Sequence, residues 1–247
     1  ISACLVGSEM CIRDSLNANK TYIATVQLGV TTTTGDQEGE VISKKEAVFN
    51  EAQLKETLQK FIGDITQIPP MYSALKFEGR PLYEYARQGI EIERKSRQIT
   101  IYDIGLMEFQ GSVMTIEVSC SKGTYIRTLA EDIGHALGCG AHLKGLERTQ
   151  TANFQLTEAL TIEALEAMDS ISREKVLLPI DALLEGLPSI ELTSAETELI
   201  KKGQSIDFIS KNEEELRLYS VSGQFVGVGQ PDLQGRLFPK RLIANIL

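Results

Sequence analysis

The chain has no tryptophan, two histidines (His135 and His142), seven prolines and four cysteines in 247 residues. Two histidines cannot build a histidine-rich metal centre, and no Cys-x-x-Cys pair supplements them, so no resident metal is expected. Cys139 and His142 stand three apart with no other soft ligand nearby, which argues against zinc and against a nucleophilic pair. Cys4, Cys11, Cys120 and Cys139 are irregularly spaced and do not form a disulfide framework. No secretory signal precedes them, so a reducing, cytoplasmic setting is the expectation. No run approaches the ~20 apolar residues of a membrane span, so no membrane partner is expected. The P-loop, the G-x-G-x-x-G fingerprint and the G-x-S-x-G elbow are also missing.

What is present is a globular composition, 42% hydrophobic and 24% charged, long enough for a main domain with a small appendix. The net charge of −9 is unevenly spread. Ten acidic side chains face two basic ones between Thr151 and Ile200, whereas the stretches Arg80 to Arg97, Lys122 to Arg148 and the C-terminus are mildly basic. Because fields are local, the acidic total neither excludes nor predicts RNA.

Residues 1–15, ISACLVGSEMCIRDS, show neither helical nor strand periodicity and read as a foreign leader, of the kind a translated adapter would leave. From Thr21, TYIATVQLG reads as a strand, TTTTGDQEG as a turn and EVIS as the returning arm of a hairpin. Leu54, Leu58, Phe61 and Ile62 predict a helix over 51–62. The segment 69–97, with two prolines at its start, three tyrosines and several cations, reads as an inserted arm. Ile99 to Leu106 and Val113 to Cys120 read as strands, and Tyr125 to Leu137 as a helix ended by Gly138. One or two amphipathic helices are expected within the acidic stretch, Leu160 to Met168 and Val176 to Leu184 around Pro179. After Leu187, short strand-like runs predict a compact β-rich module. Strands and helices in this order imply an α+β or mixed α/β layer.

Two segments carry chemistry. SKGTYIR, Ser121 to Arg127, places Lys-Gly-Thr at a strand-to-helix junction, but Lys122 precedes Gly123 and no upstream glycines complete a phosphate loop. It reads either as a helix N-terminus presenting N–H groups, a ring and a guanidinium to an anion or a base, or as a capped helix with Tyr125 in the core and Arg127 in a surface salt bridge. The tyrosines and cations between Tyr72 and Arg97 suit stacking and phosphate contacts with RNA, and equally a solvated loop.

Four strings, in order, resemble the TruB family, the bacterial tRNA pseudouridine-55 synthases: KTYIATVQLG with Thr32, Thr34, Asp36 and Gly39; IPPMYSALKFEGRPLYEYARQGI; CSKGTYIRTLAEDIG; and LGCGAHLKGLERT. The resemblance spans roughly Asn17 to Leu247. It implies an α+β pseudouridine synthase core with a mixed, largely antiparallel sheet and an inserted arm (16–186, arm 69–97). A small β-rich PUA-like RNA-binding domain would follow (187–247). It further implies a monomer acting on the T-arm of tRNA without metal or organic cofactor. The base is flipped out, its bond to the ribose breaks, it turns, and it is rejoined through C5. By the family motifs Tyr22 would stack on the base and Arg127 would pair with the catalytic carboxylate. Tyr125 and Leu146 would line the pocket, with Asp36 in a positioning role, and Lys76, Arg80, Tyr72 and Arg87 would contact RNA.

One departure matters. The family's nucleophilic aspartate sits in a G-x-L-D-P type motif upstream of the Tyr22 strand, and no such motif occurs here; Asp14 has none of its neighbours. The expectation is an inactive polypeptide, with a non-catalytic RNA-binding or tRNA-chaperone protein as the alternative. A second expectation is that Arg127, left without its carboxylate, is an uncompensated charge that destabilises the fold.

Overall fold

The computed structural model describes residues 18–243, so the leader lies outside the described residues. The chain divides into two compact units, which meet in sequence at Ala159 and Leu160.

The first unit is a six-stranded sheet in the order β10-β9-β1-β8-β7-β4. Its strands are β1 (Lys20–Leu28), β4 (Gly63–Gln67), β7 (Arg97–Gln110), β8 (Val113–Cys120), β9 (Ala141–Thr151) and β10 (Phe154–Gln155). Every ladder in it is antiparallel, and a single parallel bridge joins Asp36 to Leu143. Alternation along β1 turns Ala24, Val26 and Leu28 to one face, where they are fully buried. On that face lies α3 (Ile126–Ala136), whose Ile126, Leu129, Ala130 and Ile133 fill the core, together with Leu54 and Leu58 of α1 (Glu51–Gln59). α1 begins in a capping box between Asn50 and Gln53 and stops three residues short of the expected end.

The expected hairpin between the TYIATVQLG strand and EVIS is corrected: β3 (Val41–Lys44) pairs with β2 (Val30–Thr32), inside the stretch expected to turn, while β1 pairs with β8 and β9. The segment between β4 and β7 holds a small hairpin, β5 (Lys76–Phe77) and β6 (Arg80–Pro81), followed by α2 (Leu82–Arg87). In the six-stranded sheet β4, β9 and the two-residue β10 are not legible in the sequence. β4 is short and β9 carries the consecutive exposed residues Lys144 to Arg148, so neither shows clean alternation.

The second unit has a five-stranded sheet in the order β11-β13-β14-β15-β12. It comprises β11 (Ser189–Leu192), β12 (Ile206–Asp207), β13 (Leu216–Ser220), β14 (Phe225–Pro231) and β15 (Arg236–Leu242), with β11 and β13 parallel. Two short helices precede it, α4 (Ile162–Ala167) and α5 (Ser170–Lys175), and α6 (Ser194–Lys201) lies within it. The expected helix over 176–184 is corrected: only a 3-10 turn at Ala182–Leu184 forms there, because Pro179 lacks the N–H a continuous helix needs. Ile180, Leu184 and Leu187 instead pack on Phe225 and Val228. That packing places the segment before β11 with the second unit, whereas the sequence reading drew the boundary at 186/187. The fold is α+β.

Candidate functional site

The candidate residues fall in separate groups on the first unit: Tyr22 and Leu146 on β1 and β9, Asp36, Tyr72, Arg87 and Arg127 around one cavity, and Lys76 and Arg80 on the β5–β6 hairpin. Tyr22 pairs with Arg148 across β1 and β9, and Ala24 with Leu146, so Tyr22, Leu146 and Arg148 share the face that carries α3. Ala24 is buried beneath the helix, but two residues toward the strand start the cover ends: Tyr22 is half-buried and Leu146 is 49% exposed. Burial pushes the Tyr22 hydroxyl above its usual range, while Arg148, which reaches it, pulls the other way. Lys20 precedes Tyr22 by two on the same face, and burial, then Arg148 and Lys122, lower its affinity for a proton. Lys20 and Arg148 are not among the residues the sequence singles out; for Lys20 the alternation with Tyr22 along β1 is the available signal, whereas Arg148 meets Tyr22 only through the β1–β9 register.

Tyr125 is the residue from which α3 starts, in extended conformation and without a side-chain cap of its own. Two residues on, Arg127 points away from the core. Its Nη1 donates to the carbonyls of Thr34 (3.3 Å) and Tyr72 (3.4 Å), and its Nε lies 3.1 Å from Asp36 Oδ2. That Nε–H is not aligned on the carboxylate, so the contact is an ion pair rather than a hydrogen bond. The expectation of an uncompensated Arg127 is therefore corrected: the turn after β2 delivers Asp36 to it. Asp36 is itself held, Oδ1 accepting from the Thr34 hydroxyl (2.5 Å) and the Glu38 N–H (3.2 Å). The alternative of a capped helix with Arg127 in a salt bridge is thus partly realised, but the bridge lines a cavity rather than an open surface.

That cavity, about 380 Å³, is lined by Thr34, Asp36, Tyr72, Ser73, Tyr83, Arg87 and Arg127 among others. Arg87 stacks over Tyr83 at 5.3 Å, and Arg80 over Tyr85 at 5.0 Å with Glu84 at 3.4 Å. Of the arm residues named from sequence, Tyr72 and Arg87 reach the Arg127 cavity, whereas Lys76 and Arg80 sit on the exposed β5–β6 hairpin. Among the described residues no cluster of His, Cys, Asp and Glu is placed to hold a metal ion. Cys120 and Cys139 are free and buried.

Glu131, one turn along α3 from Arg127, lies with its carboxylate over Gly35. Burial, then Asp132, raise its proton affinity above the ordinary value of 4.5, Arg127 opposing. The folded state therefore holds this proton more readily than the unfolded chain, and the carboxylate's cost grows as pH rises from 4.5 through the folded pKa. Glu131→Gln should be more stable than the unaltered chain at neutral pH, with the difference closing below pH 4.5 in urea titrations. A gap that widened on acidification would reverse the assignment.

The fold is that of the pseudouridine synthases. Over 96% of this chain and 70% of its own, a Cbf5–Nop10–Gar1 complex chain superposes with a TM-score of 0.71 at 20% identity. An H/ACA RNP chain, solved with a substrate RNA containing 2′-deoxyuridine, gives 0.70 at 18% over 97% and 70%. At these identities the likeness shows the fold. Family models match throughout: TruB family pseudouridylate synthase (N terminal domain) at 4–126, tRNA pseudouridylate synthase B C-terminal domain at 127–185, and Pseudouridine synthase II TruB, C-terminal at 188–243. The first of these begins inside the segment read as a leader. The tRNA pseudouridine synthase B of Chromobacterium violaceum is 50% identical over 93% of this chain and 76% of its own length, and that of Dechloromonas aromatica 48% over 93% and 77%. The chain belongs to the TruB family of pseudouridylate synthases.

Proposed function

We propose that this chain binds the T-arm of tRNA, as a monomer in the cytoplasm, and holds the T-loop uridine at position 55 for conversion to pseudouridine. We propose also that a polypeptide of these 247 residues alone does not complete the reaction. The observation that supports the reading is the Arg127–Asp36 pair, which lines one cavity with Tyr72 and Arg87 of the arm.

In this reading the flipped base stacks on Tyr22 against Leu146 and Tyr125, and stacking offsets the few kcal/mol that unpairing costs. Asp36 holds Arg127, which would pair with the family's nucleophilic carboxylate, a group for which these residues show no motif. In the family reaction that carboxylate would serve, the N1–C1′ bond breaks, the base turns, C5–C1′ forms, C5 releases its proton and N1 takes one up. Lys76 and Arg80 on the hairpin, Tyr72 and Arg87 at the cavity, and Lys20, Lys122 and Arg148 beside Tyr22 face the RNA. Asp36 is unsuited to be the nucleophile, because both of its oxygens are already engaged. That engagement equally favours the second reading, an RNA-binding protein without chemistry.

The test is tritium release from a T-arm stem-loop labelled at uridine C5, at near-stoichiometric protein, alongside filter binding of the same RNA. Binding that weakens with salt, at about 0.7 counterions per phosphate contact, and no tritium release are expected. Release at an ordinary enzymatic rate would overturn the inactivity, and no binding would overturn the RNA reading.

A further inference from the structure

The start of α3 is held by a residue that no family motif above assigns. Gln67 is the last residue of β4, 1% exposed, immediately before Ile68 and the two prolines that open the arm. Its carboxamide makes two hydrogen bonds to one residue: Oε1 accepts from the Tyr125 N–H (2.8 Å) and Nε2 donates to the Tyr125 carbonyl (3.0 Å). That carbonyl also accepts from the Leu129 N–H (3.0 Å), so Gln67 grips the point where α3 begins.

The arm closes at the same place. Gln67 and Arg97 are Cα partners across β4 and β7, so the arm's two ends meet there. Arg94, near the arm's return, donates to the Pro69 carbonyl at 3.1 Å, and Arg127 donates to that of Tyr72. A fully buried carboxamide gains nothing in packing over leucine or methionine and must find partners for each of its polar atoms. What it adds is register. It sets the Tyr125 peptide, and through the first turn of α3 the direction of Arg127, relative to the root of the arm.

We infer that Gln67 is a positioning residue of the base pocket, tying the peptide of Tyr125 to the arm root so that pocket and arm hold one geometry. The inference rests on the functional reading above, in which Tyr125 and Arg127 meet the flipped base. Misplacing a pocket group by about 1 Å can cost on the order of a hundredfold in a positioned reaction, so a lost tie should appear in how the base is held before it appears in overall binding.

The test uses the full chain, a T-arm stem-loop with 2-aminopurine beside the target uridine, and two variants. Gln67→Met keeps the volume and loses both bonds; Gln67→Glu keeps an acceptor and, when ionised, cannot donate to the Tyr125 carbonyl. For both, RNA affinity should stay within about threefold while the fluorescence rise per bound RNA falls about fivefold or more at pH 8. On acidification the buried glutamic acid takes up a proton, becomes a donor again and recovers the signal; the unaltered chain and Gln67→Met should show no such recovery. Thermal melts serve as the control. A fall in melting temperature with an unchanged signal per bound RNA in Gln67→Met would leave Gln67 a merely structural residue and overturn the inference, even if Gln67→Glu does not fold. Failure of the unaltered chain to bind the RNA would instead remove the functional reading and the pocket role with it.

Discussion

Gly134→Ala should unfold much of the first unit in moderate denaturant, at a cost of about 3 kcal/mol or more. Gly134 lies in the last turn of α3, where the chain doubles back through Gly138 and Gly140 into β9. A Cβ there would stand 2.4 Å from the Ala141 nitrogen and 2.4 Å from the Gly140 carbonyl carbon. Those are backbone atoms, held by the bond from the Gly140 N–H to the Gly134 carbonyl (2.8 Å), and cannot turn aside as a flexible side chain would. Helix and strand must separate by about 1 Å, opening the contact beneath Ile133 and Ala141. Urea unfolding reads the effect as a drop in midpoint of about 1 M or more. Gly105→Ala is the control, since nothing lies within 4 Å of its Cβ position, and it should fall within about 0.5 kcal/mol of the unaltered chain. Equal midpoints for both variants would mean that α3 and β9 are not in backbone contact.

Arg127→Met should destabilise the chain by about 1 to 3 kcal/mol, the reverse of what an unpartnered buried arginine would give. The ion pair with Asp36 joins the turn after β2 to α3, and the same guanidinium holds two carbonyls, one of them in the arm. The variant leaves Asp36 beside a methionine and frees both carbonyls. The side chains of the pair remain 27% and 22% exposed, so water moderates the loss and the upper end of the usual range for breaking a buried pair is not expected. Asp36→Asn in the Arg127→Met background should cost less than it does alone, because the charge it removes no longer has a partner. The double-mutant cycle measures that coupling, and additivity would show that the 3.1 Å contact contributes nothing. In the stem-loop assay Arg127→Met should also loosen the arm, since the Tyr72 tie is lost with it.

The sequence by itself was enough for the elements whose pattern is local. β1, β8 and α3 follow from alternation and from a 3.6-residue stripe closed by Gly138, and the arm from its prolines and glycines. The four family strings were legible because each is a contiguous run. The short β4, the half-exposed β9 and the loss of a helix at 176–184 were not, because tertiary partners decide them. A strand whose outer residues face a site has no hydrophobic period, and an apolar run around Pro179 takes its conformation from the sheet it covers.

The site divides in the same way. The resemblance to the family names Tyr22, Tyr125, Arg127, Asp36 and Leu146 as candidates without a structure. Their pairing comes only from the fold: Asp36 meets Arg127 across ninety-one positions of sequence, and Gln67 meets Tyr125 across fifty-eight. Neither pairing leaves a periodic trace in the chain. Each depends on where a turn or strand end arrives once the sheet has closed, which is why chemistry could be read from the residues while the partners that orient it could not.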